Sequence, residues 1–276
     1  MVRRRFALVD ALVGYVRPVT DSFYVPLGDD RWRATVNTTG PWDARHQHGG
    51  PPGALLARAV EQCEPREDAV VARVTVEILG GIPVGELVLT SRVARPGRRV
   101  ELVEASLAAG GRTVARATAW RVQRSAGVHI APRHPMPAPL PDPTTDWETP
   151  EGWIDGYLSA VEWRTTGGRF DQPGPGAVWT RLRHPLVPDE EPTGLQRVMA
   201  VADSGSGISS ELDQRRWHFI NPELTVHLHR IPAGEWICLD AVTTISDGGV
   251  GLATSVLSDV DGPVGVGAQS LLVAPR

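Results

Sequence analysis

One group of residues suited to chemistry is His48-Gly49-Gly50, which precedes a helical pattern. Glycines at a helix N-terminus let a ligand approach the backbone N–H groups, and the helix dipole there favours negative charge. An oxyanion developing on a carbonyl group fits such a position. The alternative is that the glycines only form a tight turn before Pro51-Pro52. The sequence therefore predicts oxyanion or substrate binding at these three residues.

A second candidate is Asp203, which ends another helical pattern just before a Ser-Gly-Ser-Gly run. At the edge of the core, a carboxylate can act as a general base toward water. A negative charge at a helix C-terminus opposes the dipole, and this cost favours a functional role. The alternative is an Asx turn, a common structure for Asp beside Gly. We expect Asp203 to be the general base.

Gln269 is a polar interruption in a terminal strand rich in Val and Leu. A buried amide needs hydrogen-bond partners, so Gln269 should bind a group outside its own strand. Alternatively, Gln269 faces solvent at a period-two position.

The hydrophobic patterns indicate one long helix and several strands in each half of the chain. A helix flanked by antiparallel strands buries its apolar stripe on one sheet face, which predicts an α+β layer. The patterns predict a hairpin over 22–39, helices over 53–63 and 194–203, and strands at 70–79, 86–95, 100–109, 113–122, 158–165, 177–184, 219–229, 235–244, 250–258 and 264–273.

A repeated passage supports two similar halves, because residues 75–89 resemble residues 225–239. Thr75 matches Thr225 at an offset of 150. Prolines then mark an extended linker between the halves. We predict an N-terminal extension at 1–20, a first domain at 21–124, the linker at 125–151 and a second domain at 152–276.

The composition is that of a soluble globular protein, with 41% hydrophobic and 22% charged residues among 276. A net charge of −4 gives no electrostatic footprint for nucleic acid, and no stretch approaches transmembrane length. Cys63 and Cys238 fall in apolar runs, which indicates buried thiols and a cytoplasmic location. The histidine pairs at 46/48 and 227/229 lack a third ligand, so we expect no metal.

The order of elements, with the His-Gly-Gly passage and Ala202-Asp203-Ser204, resembles the type II acyl-CoA thioesterase family. This resemblance implies an α+β double hotdog, with two tandem copies of a long helix wrapped by an antiparallel sheet. It also implies hydrolysis of an acyl-CoA to free acid and CoA, in lipid metabolism and without a cofactor. The acyl chain length stays open.

The resemblance further implies an Asp–Thr–Gln set that orients a water molecule. Asp203 and Gln269 match two members of the set. Counting back from His229-Arg230 places Asn221 where the family has Thr, and an amide can also hold water. Thr225 is the alternative if the register differs.

Comparison of the halves predicts one site per chain, at their junction. The first half would supply the oxyanion donor, and the second half the residues that activate water. In the first half, Thr118 matches Gln269. The position of Asp203 aligns near Gln62 or Cys63, where no catalytic carboxylate is evident.

Two other functions are compatible with this pattern. One is a double-hotdog hydratase acting on enoyl-CoA, for which Asp43 and His48 would form the acid–base pair. The other is a non-catalytic scaffold that binds acyl groups. Exposed sheet edges also favour a homo-oligomer, a dimer or higher.

Overall fold

The computed structural model describes residues 22–127, 129–142, 153–168 and 172–276. The extension expected at 1–20 and most of the second half of the linker, from 143 to 151, lie outside the described residues. The domain boundaries therefore stay a prediction.

A hairpin opens the described part of the chain. The three residues of its turn, Gly28, Asp29 and Asp30, have positive φ angles of 83°, 50° and 58°. Glycine and aspartate tolerate this left-handed conformation better than most residues. The elements here are β1 (Tyr24–Gly28), β2 (Arg31–Ala34) and a short 3-10 helix (Val36–Thr38).

Each half then contains a central helix and several long strands, as predicted. The first half has α1 (Gly50–Gln62), β3 (Ala69–Ile78), β4 (Glu86–Arg95), β5 (Val100–Ala109) and β6 (Arg112–Gln123). The second half has α2 (Tyr157–Ala160), β7 (Val161–Gly167), β8 (Gly176–Leu182), α3 (Gly194–Ala202), α4 (Gly205–Ile208), β9 (Trp217–Ile220), β10 (Glu223–Leu228), β11 (Ile237–Ile245), β12 (Val250–Asp259) and β13 (Gly262–Pro275).

The strands form one antiparallel sheet in the order β1-β2-β4-β5-β6-β3-β10-β13-β12-β11-β8-β7, and β9 pairs with β13. The halves meet where β3 pairs with β10. There Thr75 lies directly opposite Thr225, and their hydroxyl oxygens are 3.1 Å apart. The repeated passage of the sequence thus begins at the centre of the junction between the two halves.

The two long helices pack against each other in opposite directions inside the sheet. Gly50, at the start of α1, lies against Ala200, near the end of α3. Glu61, near the end of α1, contacts Gln196 in the first turn of α3. Every residue of α1 from Gly50 to Val60 is buried. This packing brings the first turn of α1 to the last turn of α3.

Helix α1 begins three residues earlier than predicted, at Gly50 rather than Gly53. Pro51 and Pro52 occupy its first turn. The N–H groups of a first turn have no partner within the helix, so proline is tolerated there. The two prolines therefore lie inside the helix, and the His-Gly-Gly passage lies directly at its N-terminus.

The strand predicted over 219–229 is interrupted. It divides into β9 and β10 at Asn221-Pro222. Both pieces pair with β13, Ile220 opposite Leu272 and Thr225 opposite Ala268. Proline lacks the N–H group that a ladder needs, which explains the break. Asn221 lies at this irregular position.

Candidate active site

The N-terminus of α1 contributes one unpaired backbone donor. The Gly50 N–H donates to His48 Nδ1 at 3.1 Å. Pro51 and Pro52 have no N–H, and Gly53 N–H donates to the Gly49 carbonyl at 3.1 Å. This leaves the Gly49 N–H without an acceptor among the residues that the structure describes. The N–H of Gly49, rather than that of Gly50, is therefore uncommitted within the described residues.

Asp203 caps the C-terminus of α3 and lies against Gly49. A Cβ atom on Gly49 would lie 2.6 Å from Asp203 Oδ2 and 2.8 Å from its Cγ. Only glycine fits at this distance. The carboxylate is 7% exposed, so it needs hydrogen-bond donors to remain charged.

Two side-chain amides hold the Asp203 carboxylate. Asn221 Nδ2 donates to Asp203 Oδ1 at 2.7 Å, and Gln269 Nε2 donates to the same oxygen at 3.2 Å. Gln269 Nε2 also lies 3.0 Å from the Asp203 carbonyl oxygen. The Ser206 N–H donates to Gln269 Oε1 at 3.0 Å, which fixes the amide with its NH₂ toward Asp203. Asp203 Oδ1 is thereby held in place, while Oδ2 receives no donor among the described residues.

The alternative residue Thr225 lies elsewhere. Its hydroxyl is within 3.1 Å of Thr75 Oγ1 and 3.2 Å of Glu223 Oε2, at the junction of β3 and β10. The structure thus brings Asn221, and not Thr225, to Asp203.

His48 is neutral in this arrangement. Burial lowers the pKa of His48 below 6.5, and the opposing effect of the Asp203 charge is smaller. His48 Nδ1 lies 3.3 Å from Asp203 Oδ2, a distance that would suit an ion pair. However, Nδ1 already accepts the Gly50 N–H, which places the ring proton on Nε2. Asp203 Oδ2 therefore keeps its lone pairs available to accept a proton.

Tyr157 is a site residue that sequence reasoning missed. Its ring stacks on His48, with centroids 4.0 Å apart and planes 11° apart. Its hydroxyl donates to the Ala200 carbonyl at 2.9 Å and lies 3.0 Å from Ser204 Oγ. Burial raises the pKa of Tyr157, so the phenol stays protonated. Tyr157 therefore connects His48 to the last turn of α3, and no motif in the sequence marks it.

A cavity of about 590 Å³ opens beside these groups. Its wall includes His48 and Gly49 from the first half, and Asp203 and Asn221 from the second. Gln269 is 2% exposed and lies behind Asp203 rather than in the wall. The volume is in the range of small-molecule sites. The cavity therefore lies at the junction of the two halves.

Comparison with known families identifies the family of the chain. Residues 38–122 match the N-terminal domain of acyl-CoA thioesterases, and residues 132–273 match the C-terminal domain. The chain belongs to the acyl-CoA thioesterase family. A search of curated proteins found no significant match.

Solved structures share the fold of this thioesterase-family chain. A candidate thioesterase II from Thermobifida fusca is 18% identical, with a TM-score of 0.70 over 92% of this chain and 96% of that one. Acyl-CoA thioesterase II TesB2 from Mycobacterium marinum is 16% identical, with a TM-score of 0.63 over 93% and 96%. A protein with a hot dog fold from Alicyclobacillus acidocaldarius is 15% identical, with a TM-score of 0.70 over 93% and 97%. These similarities confirm the predicted α+β double hotdog.

The other half of the thioesterase fold has a related but different arrangement. Glu61 contacts the N-cap residue of α3, as Asp203 contacts the N-cap residue of α1, although no catalytic carboxylate was expected in the first half. Its oxygens lie 2.9 and 3.0 Å from Thr193 Oγ1, at the N-terminus of α3. Burial raises the pKa of Glu61. The Glu61 carboxylate thus accepts a hydrogen bond from Thr193, the N-cap residue of α3. Gly49, the N-cap residue of α1, has no side chain that could donate to Asp203 in the same way.

The counterpart of Gln269 is also corrected. Since Thr75 and Thr225 are equivalent, the register of β3 with β6 and of β10 with β13 makes Ala119, and not Thr118, the counterpart of Gln269. Ala119 is fully buried and has no polar group. The first half therefore lacks the amide that holds Asp203 in the second.

The remaining polar candidates do not join the site chemistry. Asp43 Oδ2 lies 3.0 Å from His46 Nδ1 and also binds Arg45, and no contact joins Asp43 to His48. Burial raises the pKa of the Cys238 thiol to about 12, so it is an unreactive core group. In the described part of the chain, no three His, Cys, Asp or Glu side chains are grouped to hold a metal ion. No helix there is long and apolar enough to cross a membrane.

Proposed function

We propose that this chain hydrolyses acyl-CoA thioesters with Asp203 as the general base. The observation that carries the proposal is the buried Asp203 carboxylate, held through one oxygen by Asn221 and Gln269 and pressed against Gly49. The other oxygen, Oδ2, is available beside the cavity. A proton acceptor next to an unpaired amide suits attack of water on a carbonyl group.

In the proposed reaction, Asp203 Oδ2 takes a proton from water as the water oxygen bonds to the thioester carbon. The Gly49 N–H stabilises the resulting oxyanion. The intermediate then collapses, the C–S bond breaks, and the sulfur leaves with the proton from Asp203. The products are a carboxylic acid and CoA, so atoms and charge balance without a cofactor.

The other residues position these groups. Asn221 reaches both the cavity and Asp203, so it can hold the carboxylate and contact water. Gln269 acts through Asp203 from behind the wall. The Gly50 N–H is committed to His48 Nδ1, which makes His48 a support for the α1 N-terminus rather than the base.

A panel of acyl-CoAs, followed by thiol release, tests this proposal. We expect stoichiometric release of CoA and acid from at least one acyl-CoA. Hydration of crotonyl-CoA without thiol release would instead identify a hydratase. Binding of acyl-CoA without either reaction would identify a scaffold. The hydratase has less support, because its candidate pair Asp43 and His48 is not in contact.

A matched pair of variants tests the role of Asn221. Asn221→Ala removes a 2.7 Å hydrogen bond to a carboxylate. Hydrogen bonds to charged groups are worth about 1.5–3 kcal/mol, so kcat should fall about 10- to 150-fold. Thr225→Ala removes the alternative residue, whose hydroxyl lies at the strand junction, and should retain activity. The reverse result would assign the role to Thr225.

A further inference from the structure

Several aromatic side chains line the cavity beside Asp203. Among the described residues, four of the chain's nine tryptophans line it, together with one phenylalanine. No methionine in the described part of the chain lines it. Methionine gives a binding surface that adapts to long flexible chains, whereas packed rings do not. The aromatic lining residues are Trp42, Trp153, Trp163, Trp217 and Phe219.

Five rings form one continuous series, which we name the aromatic row. Trp163 meets the edge of Tyr157 at a centroid distance of 5.9 Å, and Tyr157 stacks on His48 at 4.0 Å. His48 stacks on Trp42 at 6.0 Å, and Trp42 contacts Trp153 at 6.3 Å. Three of these distances lie in the usual range for favourable ring pairs, and the Tyr157–His48 pair is closer. Each ring of the aromatic row is therefore held in position by contact with its neighbours.

The aromatic row passes the candidate base. His48, its central member, lies 3.3 Å from Asp203 Oδ2 through Nδ1. Trp163 is 7% exposed and is fixed by a 2.8 Å hydrogen bond from Nε1 to the Leu158 carbonyl. An acyl group whose carbonyl carbon lies at Asp203 would thus extend beside the buried ring of Trp163 and the ring of Trp42, which is 53% exposed.

A second aromatic wall comes from β9. Trp217 and Phe219 alternate along this strand and so point to the same face. Their backbones pair with Pro275 and Val273 of β13. Both side chains pack against a small cluster that includes Leu271. This wall is also held by packing on a sheet.

We propose that the acyl subsite selects an acyl group that carries an aromatic ring over a long linear chain. This inference rests on the proposed thioester hydrolysis and uses the same reaction, with the ring placed on the acid product. Rigid rings offer stacking and edge contacts to a planar group, and each such contact favours it by about two- to tenfold. A linear chain gains only the apolar burial that any apolar wall provides.

Kinetics with three substrates tests the selectivity. We expect phenylacetyl-CoA to have a higher kcat/KM than hexanoyl-CoA, and palmitoyl-CoA to be the poorest. In Trp217→Leu and Phe219→Leu, the phenylacetyl-to-hexanoyl ratio should fall about two- to tenfold. Trp217→Phe keeps a ring and should keep most of the ratio. Trp236→Leu is a matched control, because Trp236 lies between Arg164 and Arg181 and not in the cavity.

Three outcomes would overturn the proposal. The first is a wild-type preference for palmitoyl-CoA. The second is an equal loss with all three substrates in Trp217→Leu and Phe219→Leu, because it would show that these rings hold the common CoA portion. The third is a phenylacetyl-to-hexanoyl ratio that neither variant changes.

Binding of unreactive analogues separates this inference from the proposed hydrolysis. CoA thioethers carrying a phenylethyl or a hexyl group have no carbonyl to attack, and calorimetry gives their Kd. Tighter binding of the phenylethyl compound without hydrolysis of any thioester would support the aromatic subsite and reject the hydrolase. Equal binding of the two, with thioester hydrolysis intact, would reject the subsite alone.

Discussion

A methyl group on residue 49 should displace Asp203 without straining the backbone. Gly49 has φ −68° and ψ −20°, in the right-handed helical region that alanine adopts freely. The new Cβ would nevertheless lie 2.6 Å from Asp203 Oδ2. Comfortable contacts between heavy atoms are about 3.5 Å, so the carboxylate has to move by about 1 Å.

The size of the effect follows from that displacement. Moving Asp203 by this distance breaks its 2.7 Å hydrogen bond from Asn221 and misaligns the proton acceptor. A misplacement of about 1 Å costs on the order of 100-fold in rate, so Gly49→Ala should lower kcat about 100-fold. The cost in folding free energy should be about 1.5–3 kcal/mol, because the buried Asp203 carboxylate loses a hydrogen bond.

Thiol release and thermal unfolding, measured together, check this prediction. Gly53→Ala is the control in the same helix, because its Cβ would lie 3.5 Å from the Met199 carbonyl oxygen, an ordinary contact. It should keep wild-type kcat and gain up to about 1 kcal/mol from better helix propensity. A Gly49→Ala enzyme with wild-type kcat would refute the assigned contact between Gly49 and Asp203.

Three further predictions separate stability from chemistry. Gly50→Ala would place a Cβ 2.0 Å from the Ala200 carbonyl oxygen, so it should force the helices apart and destabilise folding by about 1–3 kcal/mol in urea unfolding; an unchanged midpoint would contradict the packing. Thr193→Ala removes the side-chain cap of α3 and a hydrogen bond to Glu61, which should cost about 1 kcal/mol in urea while kcat stays unchanged. Burial lowers the pKa of His48 below 6.5, so as the pH falls the unfolded chain protonates His48 before the folded protein does. The free energy of unfolding is therefore unaffected by protonation of His48 above pH 6.5 and decreases below it. Unfolding curves at several pH values should therefore show the wild type losing more stability below pH 6.5 than His48→Asn, and parallel losses would refute a buried neutral His48.

Most of the elements of this fold could be predicted from the sequence, because burial leaves a periodic pattern. The helix at 194–203 and the strands at 86–95 and 100–109 have nearly the predicted bounds. The hydrophobic pattern failed where proline determines the start of a helix or the end of a strand. Pro51 did not delay α1, and Asn221-Pro222 divides a strand whose hydrophobic pattern is continuous.

The site was predictable only in part. Asp203 and Asn221 were found through residue chemistry and family resemblance, and the structure places them 2.7 Å apart. The direction of the Gly50 N–H toward His48 depends on local backbone geometry, which residue types do not encode. Tyr157 reaches the site through tertiary packing alone, so no spacing along the chain reveals it.

The first half showed the same limit. Counting from glycines in the turns matched Gln269 with Thr118, whereas the paired strands match it with Ala119. A shift of one residue reverses the face of a strand, so this error put the half-buried Thr118 in place of the fully buried Ala119. The strand pairing seen in the structure, which cannot be read from the sequence, was needed to correct this match.

The central claim is that Asp203 removes a proton from the attacking water. Asp203→Asn keeps the size of the side chain and an oxygen that can accept from Asn221 and Gln269. It removes the proton acceptor, and general base catalysis contributes about 10²- to 10⁴-fold. With an acyl-CoA that the wild type hydrolyses, the account predicts a loss of kcat of this size and a near-normal melting temperature. A folded Asp203→Asn protein that releases thiol at the wild-type rate would contradict it.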